Sequence, residues 1–485
     1  MEYEAVSYTW DHSDESLHSI EVHEGTIRSF ITISPSLYRL LMDLRYPRND
    51  RILWIDAICI DQHHIGERNH QVQQMATIYG QAYCVLVWLG TSTPEIDLAM
   101  TSLSKYQKFC RDMKWMPQDL AIDAKANIRE RNLQNQNGPS YSGMVQLFNR
   151  PWFRRVWVLQ EVRNAQRTSI YCGKHSVSSA LFCSAPILFG IDVDPHCQAV
   201  LDLMPGSPAR SNKQPPSQEL LTLLQQFRKA QATVEHDHIY ALLGLSPDQK
   251  ILHVSYEKPI SQVISEVVCH TCQFDVAGLP LYSSIFEFQA DLDKLQERVL
   301  ERLAKNGHAA TLKNIFREHS DKIFATEKIM IAAAQSEEKV LELMIKQFGQ
   351  SSITKNVVIA VLQNRALSAT PFKLIEGLAE GFMVDNKAWG TLIHQIRNNK
   401  RYLGCLNASI TDAEVRALRR QLGDGEYIEL ILRKVNFPAS PEELILIAIH
   451  LETPAITHLL LCCEGIKKLF GNAQSYTHKG AVSQE

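Results

Sequence analysis

The sequence predicts an α/β fold, a parallel sheet with helical insertions followed by an all-α helical-repeat region. Three observations carry this. Arg51 to Gln62 opens with the apolar run Ile52 to Ile55, β-branched and aromatic residues in the composition of a strand buried on both faces. From Glu67 to Ala82 the apolar residues Val72, Met75, Ile78 and Tyr79 line one helical face, and a second strand follows at Cys84 to Leu89, closed by Gly90. Strand, helix and strand in so short a span predict a parallel crossover. Past about residue 300 the apolar stripes have helical spacing alone.

The remaining elements follow in order. Asn132 to Gly143 and Pro205 to Gln218 are polar, loop-like and read as exposed insertions. Between them, Trp152 to Ala165 reads as a helix, Thr168 to Cys172 as a strand, and Gly173 to Ser176 as a turn into a small hairpin. Leu220 to Ala232 and His238 to Leu243 are helical, the latter ending at Gly244 before Pro247. Farther on, Ala325 to Ala334 returns as Ile353 to Leu362, with weaker copies at Ile410, Ala439 and near Val384. A Thr or Ser before a polar first turn and an apolar stripe behind it is the pattern of stacked helix pairs, in which no repeat buries its own face alone. An irregular helical bundle is the alternative. The tail after Lys468 is polar and frayed.

Composition narrows the functional classes. A chain of 485 residues, 45% hydrophobic, has room for two or three domains with packed cores. A formal net charge of −3 gives no basic footprint for nucleic acid. The amino terminus carries neither a basic segment nor an apolar core, so no secretory signal is expected. The apolar run Leu444 to Cys463 is broken by His450, Glu452, Pro454 and His458, which argues against a membrane span. Eleven scattered cysteines fit a reducing, cytoplasmic location.

Chemistry in open α/β folds gathers where strands end. After the Ile52–Ile55 strand stand Asp56 and Asp61, with Cys59 between them. Asp56 is a candidate ribose or substrate acceptor, and Asp61 a candidate for orienting the loop backbone; capping the next helix or pairing with Arg68 is the structural alternative for Asp61. Cys59 lacks a base that can be placed beside it and reads as buried. Cys269-His270-Thr271-Cys272 has half the spacing of a zinc site without a second pair, and Glu235-His236-Asp237-His238 reads as helix-start polarity, so no metal is assigned. No phosphate loop, dinucleotide fingerprint, zincin motif or nucleophile elbow is present.

Three blocks, Tyr3 to Trp10, Leu53 to Gln62 and Arg150 to Glu161, resemble in order the three motif blocks of the fungal heterokaryon incompatibility (HET) domain. Asp237 to Leu245 resembles the segment that follows them. HET domains are in turn similar to the Toll/interleukin-receptor (TIR) fold, which implies a TIR/flavodoxin-like sheet. The resemblance places Tyr3 to Tyr8 as the first strand, with Ser7 and Tyr8 opening onto the site. TIR domains that cleave NAD carry Trp-Cys-x-x-Glu on a helix. Trp157 and Glu161 match that spacing, with Val158 in place of the cysteine. Glu161 is therefore the candidate catalytic carboxylate, and Ser7, Tyr8, Asp56, Asp61 and Trp157 the candidate binding residues, with NAD as substrate rather than cofactor. A structural role for Glu161, pairing with Arg154 or Arg155, stands beside this. The chain begins almost on the first block, where family members carry an earlier strand, so an unpaired sheet edge is expected.

The organisation this implies is a HET domain over residues 1–250, a helical connector over 251–300, a helical-repeat region over 301–465 and a flexible tail over 466–485. The function implied is non-self recognition and regulated cell death, through NAD hydrolysis; the alternative is a non-enzymatic HET-domain scaffold or a HET-like gene-cluster member acting through protein–protein interaction. Protein partners and self-association through the HET domain and the repeats are expected, with no nucleic acid and no membrane span.

Overall fold

The computed structural model describes residues 2–10, 17–115, 138–210, 218–248, 252–320 and 323–354, with scattered positions to 367. The expected repeat copies beyond residue 367, the Leu444–Cys463 run and the tail lie outside the described residues. The chain divides into two compact units, Met1–Asp293 and Lys294–Glu485.

The first unit is organised by a five-stranded sheet. Its strands are β1 (Glu4–Tyr8), β4 (Leu53–Trp54), β5 (Cys84–Trp88), β6 (Thr168–Cys172) and β7 (His175–Ser178), in the spatial order β4-β1-β5-β6-β7. Parallel pairing joins β4, β1, β5 and β6, with Glu4 beside both Leu53 and Cys84 and with Val85 beside Thr168. β7 returns antiparallel through Gly173, which has φ +52°. The separate hairpin of β2 (His18–Glu24) and β3 (Ile27–Ile33) turns at Gly25, with φ +62°.

The expected crossover from the 53–54 strand to the 84–88 strand is present, carried by helix Ile65–Gln81. The two strands flank β1 instead of pairing with each other, so the chain reverses its direction of growth across β1. That reversal is a topological switch point, where strand ends splay and leave a crevice. β1 is paired on both sides, so the expected unpaired edge at the first block is absent; β4 and β7 form the edges. The buried-strand expectation for Ile52–Ile55 is corrected as well. β4 has only two residues and Ile52 is 48% exposed, because an edge strand is covered incompletely.

Strand alternation then decides which side chains meet. Val6 and Tyr8 pack with Leu37, Leu40 and Leu44 of helix Pro35–Leu44. Ala5 and Ser7 point to the opposite face. The Tyr79 hydroxyl donates to the Val6 carbonyl at 3.0 Å and the Tyr3 hydroxyl to that of Ile78 at 2.6 Å, fixing helix Ile65–Gln81 over β1. At the start of the sheet the buried Arg51 guanidinium pairs with Glu4 and also donates to the Leu44 carbonyl at 2.6 Å.

Three helix expectations are refined. Trp152 to Ala165 splits into a 3-10 turn, Pro151–Arg154, and a helix, Val158–Asn164, because Arg155 and Val156 pair with Gln231 between them. Residues 139–143, expected in a loop, begin helix Pro139–Phe148. The end of helix Asp237–Leu243 is not left-handed: Gly244 has φ −68°. A Cβ there would lie within 2.6 Å of three Gln160 side-chain atoms, so close approach is what calls for glycine. The described part of the expected 205–218 loop is tied down. Ser179 donates to the Pro205 carbonyl at 2.6 Å and Arg210 to that of Leu203 at 2.8 Å.

In the second unit, helices Leu295–Lys305, Ala309–His319, Glu327–Ala334 and Glu338–Phe348 follow one another. The first packs on the second and third, the fourth on the second and third. Each buries an apolar stripe, such as Val299, Leu300 and Leu303 in the first. Thr326 and Thr354 are the second residues of the two matching sequence stretches, and Thr354 and Asn356 both donate to Glu327.

Candidate functional site

At the carboxyl ends of β1 and β4 lies a cavity of about 410 Å³, of the size that holds a small organic ligand. Its chemistry-bearing lining is Trp10, Asp56, Arg68, Arg155, Trp157 and Asp237, with Tyr256 beside them. Six stretches of the chain converge there. Trp10 continues β1 and Asp56 starts the short helix Asp56–Cys59 after β4. Arg68 lies in the first turns of helix Ile65–Gln81, which His64 caps by accepting from the Glu67 N–H at 2.9 Å. The last wall is brought in by pairing: Val156 N–H donates to the Gln231 carbonyl at 3.0 Å and Gln231 N–H to that of Arg154 at 2.6 Å.

Asp56 is buried, and its Oδ1 accepts from the Ala57 N–H at 2.8 Å and from the Trp10 indole at 3.3 Å. Burial raises its pKa, opposed by Arg155 and by these two bonds. Arg155 donates to the Tyr8 carbonyl, with its guanidinium carbon 6.0 Å from the Trp10 ring centroid. Across the cavity, the Tyr256 hydroxyl donates to Asp237 at 2.5 Å, and the Trp157 side chain lies near the same carboxylate. Burial raises the Asp237 pKa too, opposed by Tyr256, Trp157 and the nearby Arg68 and His236.

Glu161 sits behind this cleft and does not line it. Its side chain is 1% exposed, and Ser7 Oγ, facing it from β1, donates to its Oε2. The buried Trp152 indole in turn donates to Ser7 Oγ at 2.8 Å. Burial pushes the Glu161 pKa up to about 7; Arg155 opposes the rise, the Asp56 charge adds to it, and the Ser7 bond opposes it. The charge of Arg155 thus favours the ionised form of two buried carboxylates, Asp56 at the cleft wall and Glu161 behind it, with its hydrogen bond going to the Tyr8 carbonyl.

Of the residues proposed from sequence, Asp56 and Trp157 line the cleft, and Ser7 and Glu161 bond each other directly behind it. Trp157 and Glu161 do not share the cleft, because Trp157 is the residue before the helix and its indole turns to Asp237. The Tyr8 ring is buried on the other face of β1, a consequence of alternation, and only its carbonyl reaches Arg155. Asp61 is exposed in the loop after the short helix, where it accepts from the His63 N–H at 3.0 Å. It neither lines the cleft nor pairs with Arg68.

Cys59, expected to be buried, is exposed at the end of its single helical turn. Cys269 and Cys272 lie in helix Ile260–Cys272, the latter buried. The Glu235–His238 side chains go to four separate partners: the Ile285 N–H, the Lys258 carbonyl, Tyr256 and Gln289. Among the described residues no group of three His, Cys, Asp or Glu side chains could hold a metal ion, and no helix is long and apolar enough to cross a membrane.

Sequence reasoning missed Trp152 and Tyr256, gave Arg68 and Arg155 only pairing roles and read Asp237 only as helix-start polarity. Arg155 and Trp152 stand inside the third block, and Asp237 opens the fourth, so the signal was position within a block. Nothing marks Tyr256, which is brought in by folding alone.

Two comparisons bear on this geometry, and no solved structure matches the chain. The chain is 26% identical over 318 residues to the heterokaryon incompatibility protein 6, OR allele, of Neurospora crassa. That alignment covers 56% of this chain and 47% of the relative, so the chain spans about half the length of the curated relative it matches. Residues 3–161, the stretch from β1 through Glu161 that supplies Ser7, Asp56, Arg155 and Trp157, match the family model of the heterokaryon incompatibility protein (HET).

Proposed function

We propose that this chain acts in fungal non-self recognition and regulated cell death, and that its first unit does so by hydrolysing NAD in the Asp56 cleft. The observation that carries the reading is the two buried carboxylates, Asp56 and Glu161, within range of the Arg155 charge beside the carboxyl ends of β1 and β4. The parallel strands, numbered by sequence, run second, first, third, fourth across the sheet, which begins the flavodoxin-like order and supports a TIR-like fold.

In the reaction, water oxygen bonds the ribosyl anomeric carbon and nicotinamide leaves with the electron pair of the broken bond. A carboxylate stabilises the developing oxocarbenium ion and takes the proton from water. Asp56 faces the cleft for ribose contact. Glu161 is the catalytic carboxylate in this reading and is buried behind the cleft, so turnover requires it to become uncovered. The indoles of Trp10 and Trp157 offer flat surfaces for the bases.

A second reading has its own observation. Glu161 is buried, bonded to Ser7 and linked through it to Trp152, which suits a polar clasp between β1 and the third block. The domain would then work by docking, with self-association through the first unit and partner binding along the helices of the second. Their alternate packing, at a spacing of about thirty residues, supports a degenerate ankyrin-like repeat. Glu161→Gln separates the readings: it keeps size and the bond to Ser7, so lost toxicity at matched abundance and melting temperature supports hydrolysis, and intact toxicity supports docking.

A further inference from the structure

The cleft contains two guanidinium groups with different commitments. Arg155 donates to the Tyr8 carbonyl and balances both Asp56 and Glu161. Among the described residues, Arg68 makes no side-chain hydrogen bond and no ion pair, and its Nε is buried without an acceptor. It lies flat on Tyr256, its guanidinium carbon 4.1 Å from the ring centroid. Stacking fixes a guanidinium by its face and leaves its edge donors free for a planar or tetrahedral anion.

The nearby anions are already engaged. Asp61, the expected partner of Arg68, is turned to the His63 N–H. Asp237 lies close enough for the Arg68 charge to favour its ionised form, yet takes its hydrogen bond from Tyr256. Asp56 is held by Trp10, Ala57 and the charge of Arg155. The Arg68 Nε is closed off from the cleft, but the side chain is half-buried and lines the cavity, so its other guanidinium N–H groups can meet a ligand oxygen there.

We propose that Arg68, held on Tyr256, is the anion-recognition residue of the cleft and receives a phosphate group of a nucleotide. The aromatic part of that ligand lies against the indoles of Trp10 and Trp157. The inference rests on the cleft being the substrate site proposed above, and it adds the residue that reads the phosphate. It also gives Tyr256, which lies outside the matched residues 3–161, a positioning role within that cleft.

Calorimetric titration of the full-length protein with AMP, inorganic pyrophosphate and adenosine tests this, using wild type, Arg68→Gln and Arg68→Lys. AMP should bind wild type more tightly than adenosine by about tenfold or more, the scale of a charge-assisted hydrogen bond. Pyrophosphate should compete with AMP. Arg68→Gln should lose that preference at an unchanged melting temperature, and Arg68→Lys should keep part of it, since lysine supplies charge without the planar fork. Equal binding of AMP and adenosine to wild type, no binding of AMP, or an unchanged preference in Arg68→Gln overturns the inference. Should Arg68→Gln not fold, the same comparison in Tyr256→Leu, which removes the stacking platform, decides it. Binding through Arg68 without NAD cleavage would defeat only the hydrolysis reading. Cleavage unaffected by Arg68→Gln, with no AMP preference, would defeat only this inference.

Discussion

At the scale of residues, the account turns on Ser7 and Glu161, which lie 154 positions apart in sequence and meet through a hydrogen bond. The folded state holds the Glu161 proton more tightly than the unfolded chain, with a pKa near 7 against an ordinary 4.5. Its contribution to stability is therefore fully present below pH 4.5 and is lost as pH rises through about 7. The stability of wild type relative to Glu161→Gln should fall across that window by about 3 kcal/mol, as measured by denaturant unfolding at several pH values. A pH-independent difference would contradict the buried, protonated carboxyl. Ser7→Ala leaves both the Trp152 indole and Glu161 without a buried partner, and should cost about 1–3 kcal/mol in the same assay. A loss within error of zero would mean that the clasp is not formed. The sequence made this pair visible only through its resemblance to known motif blocks. Spacing on a helix put Trp157 beside Glu161, whereas folding put Trp152 there, because the third block breaks at Arg155 to pair with Gln231.

At the scale of elements, β5 and β6 were legible because each is a short apolar or β-branched run closed by a glycine, whereas β1 was placed only by its resemblance to a motif block. The β2–β3 hairpin was passed over, although Ile20 and Val22 alternate with polar residues before Gly25. The start of helix Pro139–Phe148 was obscured by its Pro, Ser and Gly content. Its Gly143 is where it approaches helix Pro94–Met113: a Cβ there would overlap the Glu95 carbonyl and reach 2.8 Å from the Ile96 nitrogen. Gly143→Ala should therefore destabilise the protein by about 1–3 kcal/mol through forced separation of the two helices, despite alanine's higher helix propensity. An unchanged or raised melting temperature would contradict the close approach.

At the scale of the whole molecule, the parallel sheet was predictable from alternating strands and helices, but its strand order was not. Order depends on which side of β1 each strand joins, and that choice is made by packing between segments far apart in sequence. The cleft follows from the order, so its position was legible only as strand ends in general. The second unit, Lys294–Glu485, has a separate test. Expressed alone, it should give a cooperative helical melt if its helices stack as repeats, and a non-cooperative one would oppose the repeat reading.

The most direct test of the proposed activity is the NAD content of fungal cells over the hours after the full chain is induced, beside Glu161→Gln at matched abundance. The account predicts an early fall in NAD with wild type and none with the variant. NAD that stays constant while wild-type cells die would contradict hydrolysis and leave docking as the mode of action.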